Sequence, residues 1–171
     1  YASQFCVNTG GALADTSWLA DGDVPMVAFH TVFDPFAPFT EGIVIVPTTG
    51  GPVVPVQGSN LFMTLVNDYG NNASFAPLPS TDPYTARARA LYGTTQTHGT
   101  TNVLINTGAE GHFPFVRPDF PAPAQEEASP WQWWDPNSAI AQTVVSAGPP
   151  PITAHIASLA SNPDMSATKG R

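Results

Sequence analysis

A chain of 171 residues with 42% apolar content is long enough for one domain with its own core. A net charge of −8, with only five Lys plus Arg, argues against nucleic acid and against an anionic membrane surface as partners, and no apolar run reaches the length of a membrane span. Nineteen prolines, fourteen glycines and a charged content of only 11% point to long ordered loops, and the single cysteine excludes an internal disulfide framework.

The chain opens Tyr1-Ala2-Ser3-Gln4-Phe5-Cys6, without a basic start, a long apolar stretch or an initiator Met. The expectation is a processed, trimmed or partial chain. An acidic, lysine-poor sequence rich in Thr, Pro and Asn has an extracellular look. Phe5 to Leu13 reads as a strand running into a turn at Gly10 and Gly11. Asp15 to Trp18 is a polar connection, and Asp21-Gly22-Asp23 is a tight turn. Val24 to Phe29 is a short apolar run of the buried central-strand type. It ends in His30 and then Asp34, with Pro35 and Pro38 behind. A strand that delivers a carboxylate at its C-terminal end is one way an open α/β sheet places a catalytic group. The plainer reading of Asp34 is an Asp-Pro turn.

Residues 40–57 read as an inserted hairpin, with β-branched runs flanking a Thr48-Thr49-Gly50-Gly51 turn near the mouth of the site. Pro47 and Pro55 suit exposed or edge strands, because proline cannot donate to a ladder. Ser59 is the expected N-cap of a helix from Asn60 to Tyr69, with Leu61, Phe62, Leu65, Val66 and Tyr69 as its apolar stripe and Gly70 as its stop. Asn72-Ala73-Ser74 is a glycosylation sequon, relevant where the source modifies such sites. Asp82 and Pro83 open a helix to Tyr92. Arg87 and Arg89 read as solvated or paired. Thr101 to Asn106 reads as a third apolar strand, followed by the glycine-bearing loop that carries His112. Residues 116–135 form a Pro- and Trp-rich loop, with Trp131, Trp133 and Trp134 as a hydrophobic anchor. Helices are expected over 136–146 and 152–160, and the tail from Asn162 looks like a helix start cut short at Arg171. No internal repeat is evident.

The chemistry to weigh is Asp34 and His112, each following a strand, in the order acid then histidine. A hydrolytic triad needs a nucleophile, an imidazole to take its proton and a carboxylate to fix the imidazole tautomer. In α/β-hydrolases the order is Ser, Asp, His, with the nucleophile in a Gly-x-Ser-x-Gly elbow. That elbow is absent from the sequence. Ser3, Ser17 and Ser59 lack a strand–turn–helix context with small residues on both sides.

His30-x-x-x-Asp34-x-x-Ala37-Pro38-Phe39 resembles the acid-bearing region of secreted α/β-hydrolases of the carboxylesterase and polyester-depolymerase kind. Gly58-Ser59 opening a helix, and Gly108-Ala109-Glu110-Gly111-His112-Phe113-Pro114, resemble the next helix and the histidine loop of those enzymes. The tail is similar to tails of bacterial secreted esterases. Thr31, Val32 and Ala37 depart from the usual pattern. The resemblance implies an α/β fold: the C-terminal part of an α/β-hydrolase, about three parallel strands with flanking helices over 1–171, without its nucleophile-bearing half. It also implies a carboxylic-ester substrate in the parent and secretion or surface display by a bacterium. The partner would be the missing half or another chain of the same assembly. Asp34 and His112 would be its catalytic residues, inactive alone, with no cofactor.

Other residues invite plainer readings. His30 is a hydrogen-bonded core histidine, and His98 and His155 lie at the surface. The histidines show no zinc spacing, and Asp15, Asp21 and Asp23 lack a calcium-loop pattern. Cys6 is a small buried apolar residue. The alternative function is a catalytically silent, hydrolase-like subunit of a surface assembly, with the hairpin as its contact edge.

Overall fold

The computed structural model describes residues 3–46, 48–76 and 83–116. Three parallel strands form the central sheet: β1 (Cys6–Thr9), β2 (Met26–Thr31) and, much later in the chain, β7 (His112–Phe115), in the order β1-β2-β7. Between β2 and β7 come two antiparallel hairpins and two helices. The first hairpin is β3 (Glu41–Ile45) with β4 (Pro52–Gln57), followed by α1 (Ser59–Asp68). Then come α2 (Pro83–Leu91) and the second hairpin, β5 (Thr95–His98) with β6 (Thr101–Leu104).

The apolar run that marks β2 as central is explained by what covers it. Val27 and Phe29 face α2 and pack with Phe75, Ala88, Phe113 and Phe115, and Phe29 stacks on Phe113 at a ring separation of 5.2 Å. Ala28 faces the other way, into a cluster of Leu19, Phe62, Met63, Val66 and Ala109 beneath α1. Each fully buried aromatic or aliphatic side chain contributes about 1.5–3 kcal/mol. β2 is thus buried on both faces, as a central parallel strand requires. Its alternation also fixes the site: His30 shares the α1 face with Ala28, and the register aligns Ala28 with His112 of β7.

The mixed architecture is compatible with the expected α/β class at the coarse level of a three-stranded parallel sheet with helices packed on it. One strand assignment is corrected. Thr101–Leu104 is not part of the parallel sheet: it pairs antiparallel with β5, and Leu104 is 54% exposed. The third parallel strand is β7, in a stretch that reads as loop. Pro114 hides it, since proline breaks a ladder in a central strand. Among the described residues β7 pairs only with β2 and so stands at the edge of their sheet, where proline is tolerated.

α1 also differs in detail. Gly58, not Ser59, is its N-cap, and Ser59 is the first helical residue. The buried face is Ser59, Asn60, Phe62, Met63 and Val66; of the expected stripe Phe62 and Val66 are buried, Leu61 and Leu65 are half-buried, and Tyr69 is 37% exposed. The stop is as expected: Gly70 has φ 77°, its N–H donates to Asn67 O, and Asn71 N–H donates to Val66 O. α2 begins at Pro83 as the sequence indicates. Cys6 is half-buried rather than buried. No helix among the described residues is long and apolar enough to cross a membrane. The Trp cluster, the helices expected over 136–146 and 152–160, and the tail lie outside the described residues.

Candidate functional site

β2 carries His30 on its α1 face, and the turn after β2 carries Asp34. The Asp-Pro turn expected at Asp34 occupies one of its oxygens and leaves the other facing the interior. Oδ1 accepts from Phe36 N–H at 2.8 Å and Ala37 N–H at 3.0 Å, which is the turn. Oδ2 is buried without a hydrogen-bond partner among the described residues and lies 3.8 Å from His30 Nε2. That nitrogen makes its own bond, at 3.0 Å, to the carbonyl oxygen of Ala37.

The series then runs across the sheet face. His30 Nδ1 is 2.9 Å from Ser59 Oγ, and Ser59 Oγ is 2.9 Å from His112 Nε2. His112 Nδ1 is buried with no partner among the described residues. Asp34 and His112, the two residues singled out from the sequence, therefore stand at opposite ends of one buried line: carboxylate, imidazole, hydroxyl, imidazole. They are not hydrogen-bonded to each other. Of the middle members, His30 is a hydrogen-bonded core histidine, as expected, and Ser59 is the addition. Ser59 follows β4 and Gly58 as the first residue of α1, a strand-to-helix junction with glycine on one side and Asn60 on the other, and His30 links it to Asp34. The Gly58-Ser59 pair ahead of an apolar stripe is the signal that marks the position. The turn is not a strained nucleophile elbow, because no described residue other than glycine has a positive φ.

Two glycines let these side chains come together. A Cβ on Gly58 would run into the backbone carbonyls of Pro38 and Phe39, so only glycine lets the start of α1 lie against the turn after Asp34. Gly111 has φ 81°, and a Cβ there would sit 2.7 Å from Met26 O, so only glycine brings His112 into register with β2. Asn60 fastens the start of α1: its Nδ2 donates to Leu104 O and Thr40 Oγ1, and its Oδ1 accepts from Asn106 N–H. On the other side, Glu110 pairs with Arg89 at 3.0 Å, and the Tyr92 hydroxyl reaches the carbonyls of Ala109 and His112.

Phe39 closes the cluster, stacking on His112 at 5.4 Å and meeting His30 edge-on at 5.5 Å. His30, Ser59 and His112 are each 0% exposed. Burial, with the neighbouring His30, pushes the pKa of His112 down to about 3. Burial also lowers that of His30, against the opposing pull of Asp34 and of the Ala37 carbonyl. Both rings are neutral near pH 7. The set contains the groups that proton transfer and nucleophilic hydrolysis use, closed off from solvent in this arrangement.

Elsewhere the aspartates serve turns. Asp15 Oδ1 accepts from Ser17 N–H, and Asp23 Oδ2 accepts from Ala20 N–H. His98 is partly exposed and packs against Phe33. Among the described residues no three His, Cys, Asp or Glu side chains are grouped to hold a metal ion. Comparison with protein-family models, curated proteins and solved structures finds no match for this chain.

Proposed function

We propose that the chain contributes the acid and the histidine, Asp34 and His112, of an esterase-type serine-hydrolase site in a protein secreted or displayed by a bacterium. One observation carries the reading. The two residues terminate a single buried polar line, and each keeps one buried atom without a hydrogen-bond partner among the described residues: Asp34 Oδ2 and His112 Nδ1. A triad joins these two atom types directly; here His30 and Ser59 stand between the two residues. The nucleophile then comes from residues outside those described or from a partner chain. His112 Nε2 takes the proton of that hydroxyl as its oxygen attacks the ester carbonyl carbon, and returns it to the departing alkoxide. Water repeats the cycle to release the acid. Asp34 offsets the imidazolium charge and acts on the ring through His30 and Ser59. Ser59 must yield its place at Nε2 for this to happen. The chemistry calls for no cofactor.

A catalytically silent, structural role is the second reading, and the 0% exposure of His30, Ser59 and His112 favours it. A fluorophosphonate probe applied to an intact preparation separates the two. The hydrolase reading expects a labelled serine, in this protein or in a chain that co-purifies with it, and loss of labelling in His112→Ala. Absence of any labelled serine supports the silent role.

A further inference from the structure

We infer that His30 sets the tautomer of His112 through the hydroxyl of Ser59, making His30 a positioning residue for the far end of the buried line. Counting protons along the line fixes the direction of each bond. Ala37 O can only accept, so His30 Nε2 carries the hydrogen of their 3.0 Å bond. A neutral His30 then offers a lone pair at Nδ1. Ser59 is 2.9 Å from that lone pair and must donate its single hydrogen to it. With that hydrogen committed, Ser59 Oγ can only accept from His112, 2.9 Å away on its other side. His112 is therefore the Nε2–H tautomer, and its buried Nδ1 is a bare acceptor.

One added proton reverses the line. If His30 also carries hydrogen at Nδ1, it donates to Ser59. The Ser59 hydroxyl turns to donate to His112 Nε2, and His112 becomes the Nδ1–H tautomer. That second state is the one a carboxylate can bond and the one whose Nε2 is a base. Asp34 Oδ2, 3.8 Å from His30 Nε2, is the charge placed to favour it. Asp34 thus acts on His112 through His30 and Ser59 rather than by direct contact. The catalytic meaning of this device rests on the hydrolase reading above; the tautomer assignment does not.

Histidine-nitrogen NMR on the full chain near neutral pH tests it. Both histidines should show protonated Nε2 and unprotonated Nδ1. Only the His30 Nδ1 resonance should carry the shift of an accepted hydrogen bond. In Ser59→Ala that difference between the two Nδ1 resonances should collapse, and in Ser59→Thr it should persist. In His30→Phe the Ser59 hydroxyl is free to turn, and His112 should gain a measurable Nδ1–H population. A proton on His112 Nδ1 in the wild-type chain overturns the inference. So does a His30 Nδ1 resonance indifferent to Ser59→Ala, or a His112 tautomer unchanged by His30→Phe. Should Ser59→Ala fail to fold, the wild-type and Ser59→Thr spectra still decide. The measurement uses no ester and no probe, so it succeeds or fails independently of the labelling experiment.

Discussion

Ser59 Oγ and His112 Nε2 lie 2.9 Å apart, joining the first residue of α1 to the first residue of β7 across 53 positions of sequence. The same oxygen holds His30 of β2. Ser59→Ala therefore leaves two buried imidazole nitrogens unsatisfied at once. Each orphaned group costs about 1–3 kcal/mol, so the variant should lose roughly 2–4 kcal/mol in urea unfolding. Ser59→Thr, which keeps the hydroxyl, should recover most of it. Equal losses in the two variants would show that space, not hydrogen bonding, governs the position.

The buried histidines make stability depend on pH. His112, held near pKa 3 mainly by burial, and His30, also lowered by burial, bind protons less readily folded than unfolded, where a histidine titrates near 6.5. Each lowered pKa contributes stability that is complete above about 6.5 and declines as pH falls toward the folded value. Between about pH 6.5 and 5, where most carboxylates stay ionised, the unfolding free energy should fall by up to about 1.4 kcal/mol per pH unit through His112, with a contribution of the same sign from His30. His112→Gln should be less stable at neutral pH yet show a shallower slope. A slope identical to wild type would mean that His112 titrates freely.

How much of this is legible in the sequence depends on the range of the interactions. α1, α2, the first hairpin and β2 declare themselves locally, through apolar runs, glycine stops and an Asp-Pro start. Thr101–Leu104 misleads because a β-branched run looks the same in a hairpin and in a parallel sheet, and only the partner strand decides. β7 is masked by Pro114, whose tolerance depends on its edge position. Asp34 and His112 stand out because each follows a strand or a glycine turn. Their relation is not legible, since it passes through Ser59 and His30. Whether a side chain on one element meets a ring on another is set by register, and register leaves no mark in any single stretch.

Glycine substitutions should separate close approach from backbone conformation. Gly58 has a negative φ, −79°, but no room for a Cβ between the carbonyls of Pro38 and Phe39. Gly58→Ala must push α1 away from the turn after Asp34 and pull Ser59 from His30. A shift of packed backbone costs about 3 kcal/mol or more. Gly22 is the opposite case: φ is 88°, and a methyl group there would meet nothing within 4 Å. Gly22→Ala should cost only the left-handed penalty, about 1–2 kcal/mol. Thermal unfolding of the two variants should preserve that order, and the reverse order would refute the steric account.

Asn72 heads the sequon and is only 1% exposed. Its Oδ1 accepts from Met26 N–H at 2.8 Å, and its Nδ2 donates to Met26 O at 2.8 Å and to Glu110 O at 2.6 Å. One side chain thus ties the start of β2 to the loop that enters β7, two residues before His112. A glycan on Nδ2 would replace one of its two hydrogens, so the nitrogen could no longer serve both carbonyls, and it has no space beside Gly111, whose own Cβ position would lie 2.9 Å from that nitrogen. Folded protein secreted from a glycosylating host should carry Asn72 unmodified, as read by intact mass and peptide mapping. Asn72→Ala should destabilise by about 2–4 kcal/mol, because three partly buried backbone groups lose partners together. It should also disturb the His112 ring resonances, since the loop that places the ring is released. A glycosylated yet stably folded species would overturn this role for Asn72, and with it the account of how the histidine end of the site is held against β2.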